Sequence, residues 1–117
     1  MRVAIVDDDE SVCRAMARLL RVAGIGSSTF ASAADFLALG PQGFGCVLVD
    51  VRLGEGMSGL ELHRHLVEQG SRTPVVYLTA SDDPAVDAAA RQVGCAAFIR
   101  KGDPPESILE VLLRISA

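Results

Sequence analysis

The sequence is short of cysteine, of positive charge and of long apolar runs, and each shortage removes a class of protein. Three cysteines, Cys13, Cys46 and Cys95, are odd in number and far apart. They suggest neither a disulfide framework nor a CxxC metal site, and a reduced, cytosolic setting is expected. Eleven Lys and Arg against fifteen Asp and Glu leave a formal net charge of −4. Sequence-independent nucleic-acid binding needs a basic face, so this segment is not expected to bind nucleic acid. No apolar stretch approaches the roughly 20 residues that cross a bilayer, so no membrane association is expected. The opening Met1-Arg2-Val3-Ala4-Ile5-Val6 runs at once into four acidic residues, which makes it a strand and not a signal peptide. There is no internal repeat, no low-complexity tract and no linker.

What is present is globular in composition. The chain has 117 residues, half of them apolar and 22% charged, enough for one core and too few for two, so one domain over 1–117 is expected. Val3-Ala4-Ile5-Val6 reads as a strand ending in Asp7-Asp8-Asp9-Glu10. Val12, Met16, Leu19 and Ala23 then fall at helical spacing, with Arg14, Arg18 and Arg21 on a solvated stripe and Gly24 as the stop. Ile25 to Phe30 is a weak strand suited to a sheet edge. Ser32 caps a short helix through Leu39. Cys46-Val47-Leu48-Val49 is a doubly buried strand that delivers Asp50. Ser58 caps a helix with Leu60, Leu62, Leu66 and Val67 on its apolar positions, running to Gly70. Pro74 to Thr79 is a fourth strand. Asp82, Asp83 and Pro84 start an alanine-rich helix, Ala85 to Val93, stopped by Gly94. Ala96 to Arg100 is a fifth strand leading to Lys101, and Pro104-Pro105 open a last helix with Ile108, Leu109, Leu112, Leu113 and Ile115 as its core face.

Strict alternation of five strands with five helices predicts an α/β fold: a doubly wound, five-stranded parallel sheet of flavodoxin-like (βα)5 type, strand order 2-1-3-4-5. In such a sheet the residues that close the strands collect at one edge, where ligands bind. That edge gathers Asp7, Asp8, Asp50, Thr79 and Lys101. Three carboxylates in one cleft repel one another by about 1 kcal/mol per pair at 4 Å in water and about 4 at an effective dielectric of 20. A dication removes that penalty, and Mg²⁺ suits an all-oxygen site. A carboxylate can also serve as nucleophile toward phosphorus, with a lysine and a hydroxyl supplying charge and orientation.

Across essentially its whole length the chain resembles a bacterial response-regulator receiver domain. The residues that carry the resemblance are Val6-Asp7-Asp8, Asp50, Met57-Ser58-Gly59, Leu78-Thr79-Ala80 and Lys101. The resemblance implies that Asp50 accepts a phosphoryl group from a sensor histidine kinase in a Mg²⁺-dependent reaction. It implies that Asp8, Asp50 and the backbone carbonyl of Arg52 hold the metal, with Asp7 acting mostly through water, and that Thr79 and Lys101 contact the phosphoryl oxygens. Thr79 and Phe98 would form the switch, shifting the alanine-rich fourth helix and altering its shared face with the fifth strand and helix. The wording around Met57-Ser58-Gly59 is most similar to receivers that precede helix-turn-helix outputs, so a DNA-binding output is expected outside this chain; homodimerisation on phosphorylation stays open. Such a domain is a phosphoacceptor with at most slow autodephosphorylation, not a metabolic enzyme.

Two departures stand out. Lys101 is followed by Gly102-Asp103 where the family usually has Pro, and a trans bond with a locally different loop is expected because a cis bond to a non-proline residue costs about 2.5–4 kcal/mol. Leu53-Gly54-Glu55-Gly56-Met57 lacks the usual proline and reads one residue long, which its glycines can absorb. Two rival functions remain: an aspartyl-phosphate phosphohydrolase, which usually carries a second acid where this chain has Arg52, and a receiver-like interaction module without phosphorylation. His63 and His65 are two apart and do not face each other, so both are expected at the surface; the cysteines are expected in the core. The chain ends at Ser116-Ala117, after the last helix, which leaves open a stand-alone receiver or the front of a larger regulator.

Overall fold

The computed structural model describes residues 1–80 and 83–116. Five strands, β1 (Arg2–Val6), β2 (Gly26–Phe30), β3 (Cys46–Val49), β4 (Val75–Thr79) and β5 (Ala97–Arg100), alternate with five helices. These are α1 (Glu10–Val22), α2 (Ala33–Leu39), α3 (Gly59–Glu68), α4 (Pro84–Val93) and α5 (Pro105–Ser116). The sheet is parallel throughout in the order β2-β1-β3-β4-β5, as the alternation predicts. β2, with two serines and a glycine, lies at one edge and β5 at the other.

Alternate residues of the central strands feed two separate cores, the expected consequence of side chains pointing to opposite faces of a doubly covered sheet. Ala4, Val6, Val47, Val49, Val75 and Tyr77 pack against Phe36, Leu62, Leu66 and Ala90 from α2, α3 and α4. Val3, Ile5, Cys46, Leu48, Val76, Leu78 and Ile99 pack against Cys13, Leu20, Ile108, Val111 and Leu112 from α1 and α5. Helix starts are capped as their sequences require. Asp9, Ser32, Ser58 and Asp83 each accept from first-turn amides, and Ser58 with Glu61 completes a reciprocal capping box.

The helix faces differ in detail from the periodicity reading. In α1, Cys13 and Leu20 are the buried residues, while Val12, Met16 and Leu19 are only partly covered and Ala23 is exposed. Val67 of α3 and Leu113 of α5 face solvent, and His63 and Val111 are buried in their helices. Arg14, Arg18 and Arg21 are exposed as expected. Ala90 is the one buried residue of α4 among the described residues. Asp82, expected at the start of this helix, lies outside the described residues.

The loop after β3 is not a simple surface excursion. Val51 and Leu53 are buried, while Gly54 (φ 68°) and Gly56 (φ 86°) take the left-handed backbone that lets the chain turn back between them. The two glycines set the turns of this loop, and its apolar residues tie it to the core.

Candidate functional site at the carboxyl edge of the sheet

Each strand-end residue reaches the edge by a backbone tie. The Asp7 amide donates to the carbonyl of Phe30 (3.0 Å), Asp50 to that of Val6 (3.1 Å) and Lys101 to that of Thr79 (2.9 Å). The sheet ladder thereby runs one residue past β1, β3 and β5 and sets these side chains side by side. Asp7, Asp50 and Thr79 are buried, with Asp50 the most accessible of the three at 9%. Asp50, Arg52, Thr79 and Ala80 line a shallow, open depression.

Lys101, the chain's single lysine, is the hub of this edge. Its Nζ lies 2.8 Å from Asp50 Oδ2 and 3.0 Å from Asp7 Oδ2. Burial alone would lower its pKa, but hydrogen bonds to Asp50 and Asp7 outweigh that and hold it above the ordinary lysine value. Asp7 is raised above the usual carboxylate value because burial outweighs the Asp9 amide and Lys101 that favour its charge. The second oxygens are also engaged: Asp7 Oδ1 accepts from the Asp9 amide (2.9 Å) and Asp50 Oδ1 from the Arg52 amide (3.1 Å). The site is thus a lysine-bridged pair of carboxylates with a buried hydroxyl residue alongside.

Asp8 stands apart from that pair. It is exposed and its carboxylate lies over the Gly54 backbone, where an added Cβ would sit 2.7 Å from Oδ2. Among the described residues no three His, Cys, Asp or Glu side chains gather closely enough to hold a metal as they stand. The donor chemistry nonetheless suits Mg²⁺, being oxygen throughout, and two buried carboxylates sharing one ammonium form a site that a further cation would relieve.

The chain matches the family model for the response regulator receiver domain over residues 3–113. It belongs to that family. The receiver is 35% identical over 108 residues to the response regulator protein TmoT of Ectopseudomonas mendocina, covering 92% of this chain and 49% of that protein. It is 37% identical over 100 residues to the transcriptional regulatory protein FixJ of Azorhizobium caulinodans, covering 85% of this chain and 47% of that one. The chain therefore spans about half the length of the curated relatives it matches. The crystal structure of FixJ-N superposes with a TM-score of 0.89 at 33% identity, covering 98% of this chain and 92% of that one. A receiver acts as a phosphoacceptor in two-component signalling rather than as an ordinary enzyme, and receivers generally bind Mg²⁺ at the phosphorylation site. No helix among the described residues is long and apolar enough to cross a membrane.

Of the other residues singled out in the sequence, Phe98 is half-buried on β5 between two neighbours. The Tyr77 ring lies at 5.8 Å centroid to centroid, and the Arg100 guanidinium sits 4.8 Å from the Phe98 centroid. Arg100 also pairs with Asp87 of α4 at 2.5 Å. Cys13 and Cys46 are buried, and burial pushes the Cys46 thiol up to about 12. The expectation of two surface histidines fails for His63. It is buried, and its Nδ1 is hydrogen-bonded to Tyr77 Oη at 2.8 Å. The missed signal was its spacing: four residues after Gly59 and three before Leu66, His63 lies on the same buried face as both. His65 is half-exposed.

Gly59 carried no readable signal of its role. A Cβ there would lie 1.9 Å from the backbone oxygen of Asp50, so only glycine allows α3 to start against the Asp50 peptide.

Proposed function

We propose that Asp50 is the phosphoacceptor of this receiver. The observation that carries the proposal is the carboxylate of Asp50 at the mouth of the depression it shares with Thr79, bonded to Lys101 Nζ at 2.8 Å. An Asp50 oxygen attacks phosphorus, forming an O–P bond as the P–N bond of a kinase phosphohistidine breaks and its electron pair leaves on the imidazole. Lys101, held by Asp7 as well as Asp50, neutralises charge on the transferring group, and the Thr79 hydroxyl orients and reads the product. Asp7, Asp8, Asp50 and the Arg52 carbonyl would hold Mg²⁺, which supplies charge neutralisation when bound. Thr79 and Phe98 act as the switch. The partner is a sensor histidine kinase, and the output is a transcriptional one outside this chain, the reading that transcriptional relatives such as FixJ favour.

The test uses acetyl phosphate with Mg²⁺ and mass spectrometry of the intact chain. The parent should gain one phosphoryl group, with acetate as leaving group, and Asp50→Ala should gain none. Full labelling of Asp50→Ala refutes the assignment. Steady turnover of phosphomonoesters by the parent would instead favour a phosphohydrolase, and a parent that binds neither Mg²⁺ nor phosphoryl would favour an interaction module.

A further inference from the structure

We infer that Asp103 is the positioning residue that holds Lys101 on the acceptor carboxylate, in place of any constraint from the residue after the lysine. This rests on the reading of Asp50 and Lys101 given above. Lys101 and Gly102 occupy the centre of a tight turn whose two ends, Arg100 and Asp103, are bonded to each other twice. The Asp103 amide donates to the Arg100 carbonyl (3.0 Å), and Asp103 Oδ2 accepts from the Arg100 amide (3.1 Å). β5 is an edge strand, and the Lys101 amide already points inward to Thr79 of β4. The neighbouring Arg100 amide therefore points to the open edge, and Asp103 supplies its acceptor.

Lys101 is thus tied on three sides: to β4 through its own amide, and to Asp103 through both polar groups of the preceding residue. Gly102 is not what shapes the turn. Its φ is not in the left-handed region, and an added Cβ would meet nothing within 4 Å. The turn is accordingly defined by the Asp103 side chain, and the direction in which Lys101 leaves the sheet follows from it. A lysine has four flexible bonds, so a backbone start fixed in direction is what keeps its ammonium between Asp7 and Asp50 at a modest entropic cost.

The test compares Asp103→Ala, Asp103→Asn and Gly102→Ala with the parent in two measurements. One is the rate of labelling by acetyl phosphate with Mg²⁺. The other is the side-chain NMR cross-peak of lysine in selectively labelled protein, which is a single peak because Lys101 is the only lysine. Asp103→Ala should label about tenfold more slowly, short of the roughly 100-fold cost of a full 1 Å misplacement. Its lysine peak should move toward that of a free lysine. Asp103→Asn keeps an acceptor oxygen and should restore both readouts, and Gly102→Ala should match the parent in both. Unchanged labelling in Asp103→Ala, or slow labelling with an unmoved lysine peak, overturns the inference. If the parent itself does not label, the reading of Asp50 fails, and the lysine peak alone then decides for or against Asp103.

Discussion

The buried pair His63 and Tyr77 offers a measurement whose outcome the structure determines closely. The two rings meet edge to face at 5.6 Å between α3 and β4, and Nδ1 and the hydroxyl are 2.8 Å apart. Both side chains are essentially inaccessible. Tyr77→Phe removes the hydroxyl and strands a buried ring nitrogen, a loss of about 1–3 kcal/mol. His63→Leu strands the hydroxyl at a similar cost of about 1–3 kcal/mol. The double variant replaces both partners by apolar groups of comparable shape and should lie near the parent, so the coupling energy should equal the sum of the two single losses, at least about 2 kcal/mol. At this chain length 1 kcal/mol corresponds to about 4 °C in Tm. Urea unfolding of the four proteins gives the cycle directly. Single-variant losses that simply add, with coupling below about 0.5 kcal/mol, would falsify the claim that the pair is a unit.

The same histidine makes a prediction in pH. Burial holds the His63 pKa below its ordinary value of 6.5. Between the folded and the unfolded value the unfolded chain binds a proton that the folded chain does not, so stability rises with pH across that window. The parent should lose stability as pH falls below about 6.5, down to the folded value, beyond which this contribution is flat. Carboxylates add their own slope at lower pH, so the informative quantity is the difference between the parent and His63→Leu. That difference should shrink on acidification; a difference independent of pH between 7 and about 5 would contradict a buried neutral ring.

Gly59→Ala forces a Cβ toward the Asp50 carbonyl and should cost about 3 kcal/mol in urea unfolding while slowing acetyl phosphate labelling, since the clash is with the peptide of the proposed acceptor. Unchanged stability would show that α3 can slide away freely. Arg100→Ala removes both the ion pair to Asp87 and the cation over Phe98. Because both charged groups are partly solvated, it should cost only about 1 kcal/mol but should raise amide exchange selectively across α4. Uniform exchange changes throughout the chain would argue against a local anchor.

Much of the architecture was legible because it depends on features each segment carries alone. Apolar runs such as Val3 to Val6 and Cys46 to Val49 announce buried parallel strands whatever they pack against, and the acids and lysine that follow them are placed by the rule that parallel strands share one edge. Helix orientation was less legible. One residue of helix is a 100° rotation, so Leu113 and Val111, two positions apart, lie on opposite sides and exchange inside for outside according to how the helix sits on the sheet. That seating is a tertiary property. The site divides the same way: Asp7, Asp50, Thr79 and Lys101 were found from strand ends, whereas Gly59, Asp103 and the Tyr77–His63 pair act through contacts across the fold or through turn geometry.

The sheet register indicates how a change at Asp50 would travel. Thr79 lies opposite Arg100 in the β4–β5 ladder, and Tyr77 lies opposite Phe98. A movement of Thr79 toward Asp50 would therefore bear first on the backbone of Arg100, whose side chain covers Phe98 and holds Asp87 of α4. Phe98 is gripped between a ring that α3 secures through His63 and a guanidinium that α4 secures through Asp87. The two grips are unequal. The first is a buried hydrogen bond with little freedom, and the second is a partly solvated ion pair on a helix with one buried alanine. On physical grounds the second yields first. The aromatic side chain and α4 should therefore move together, with α3 and Tyr77 as the fixed reference.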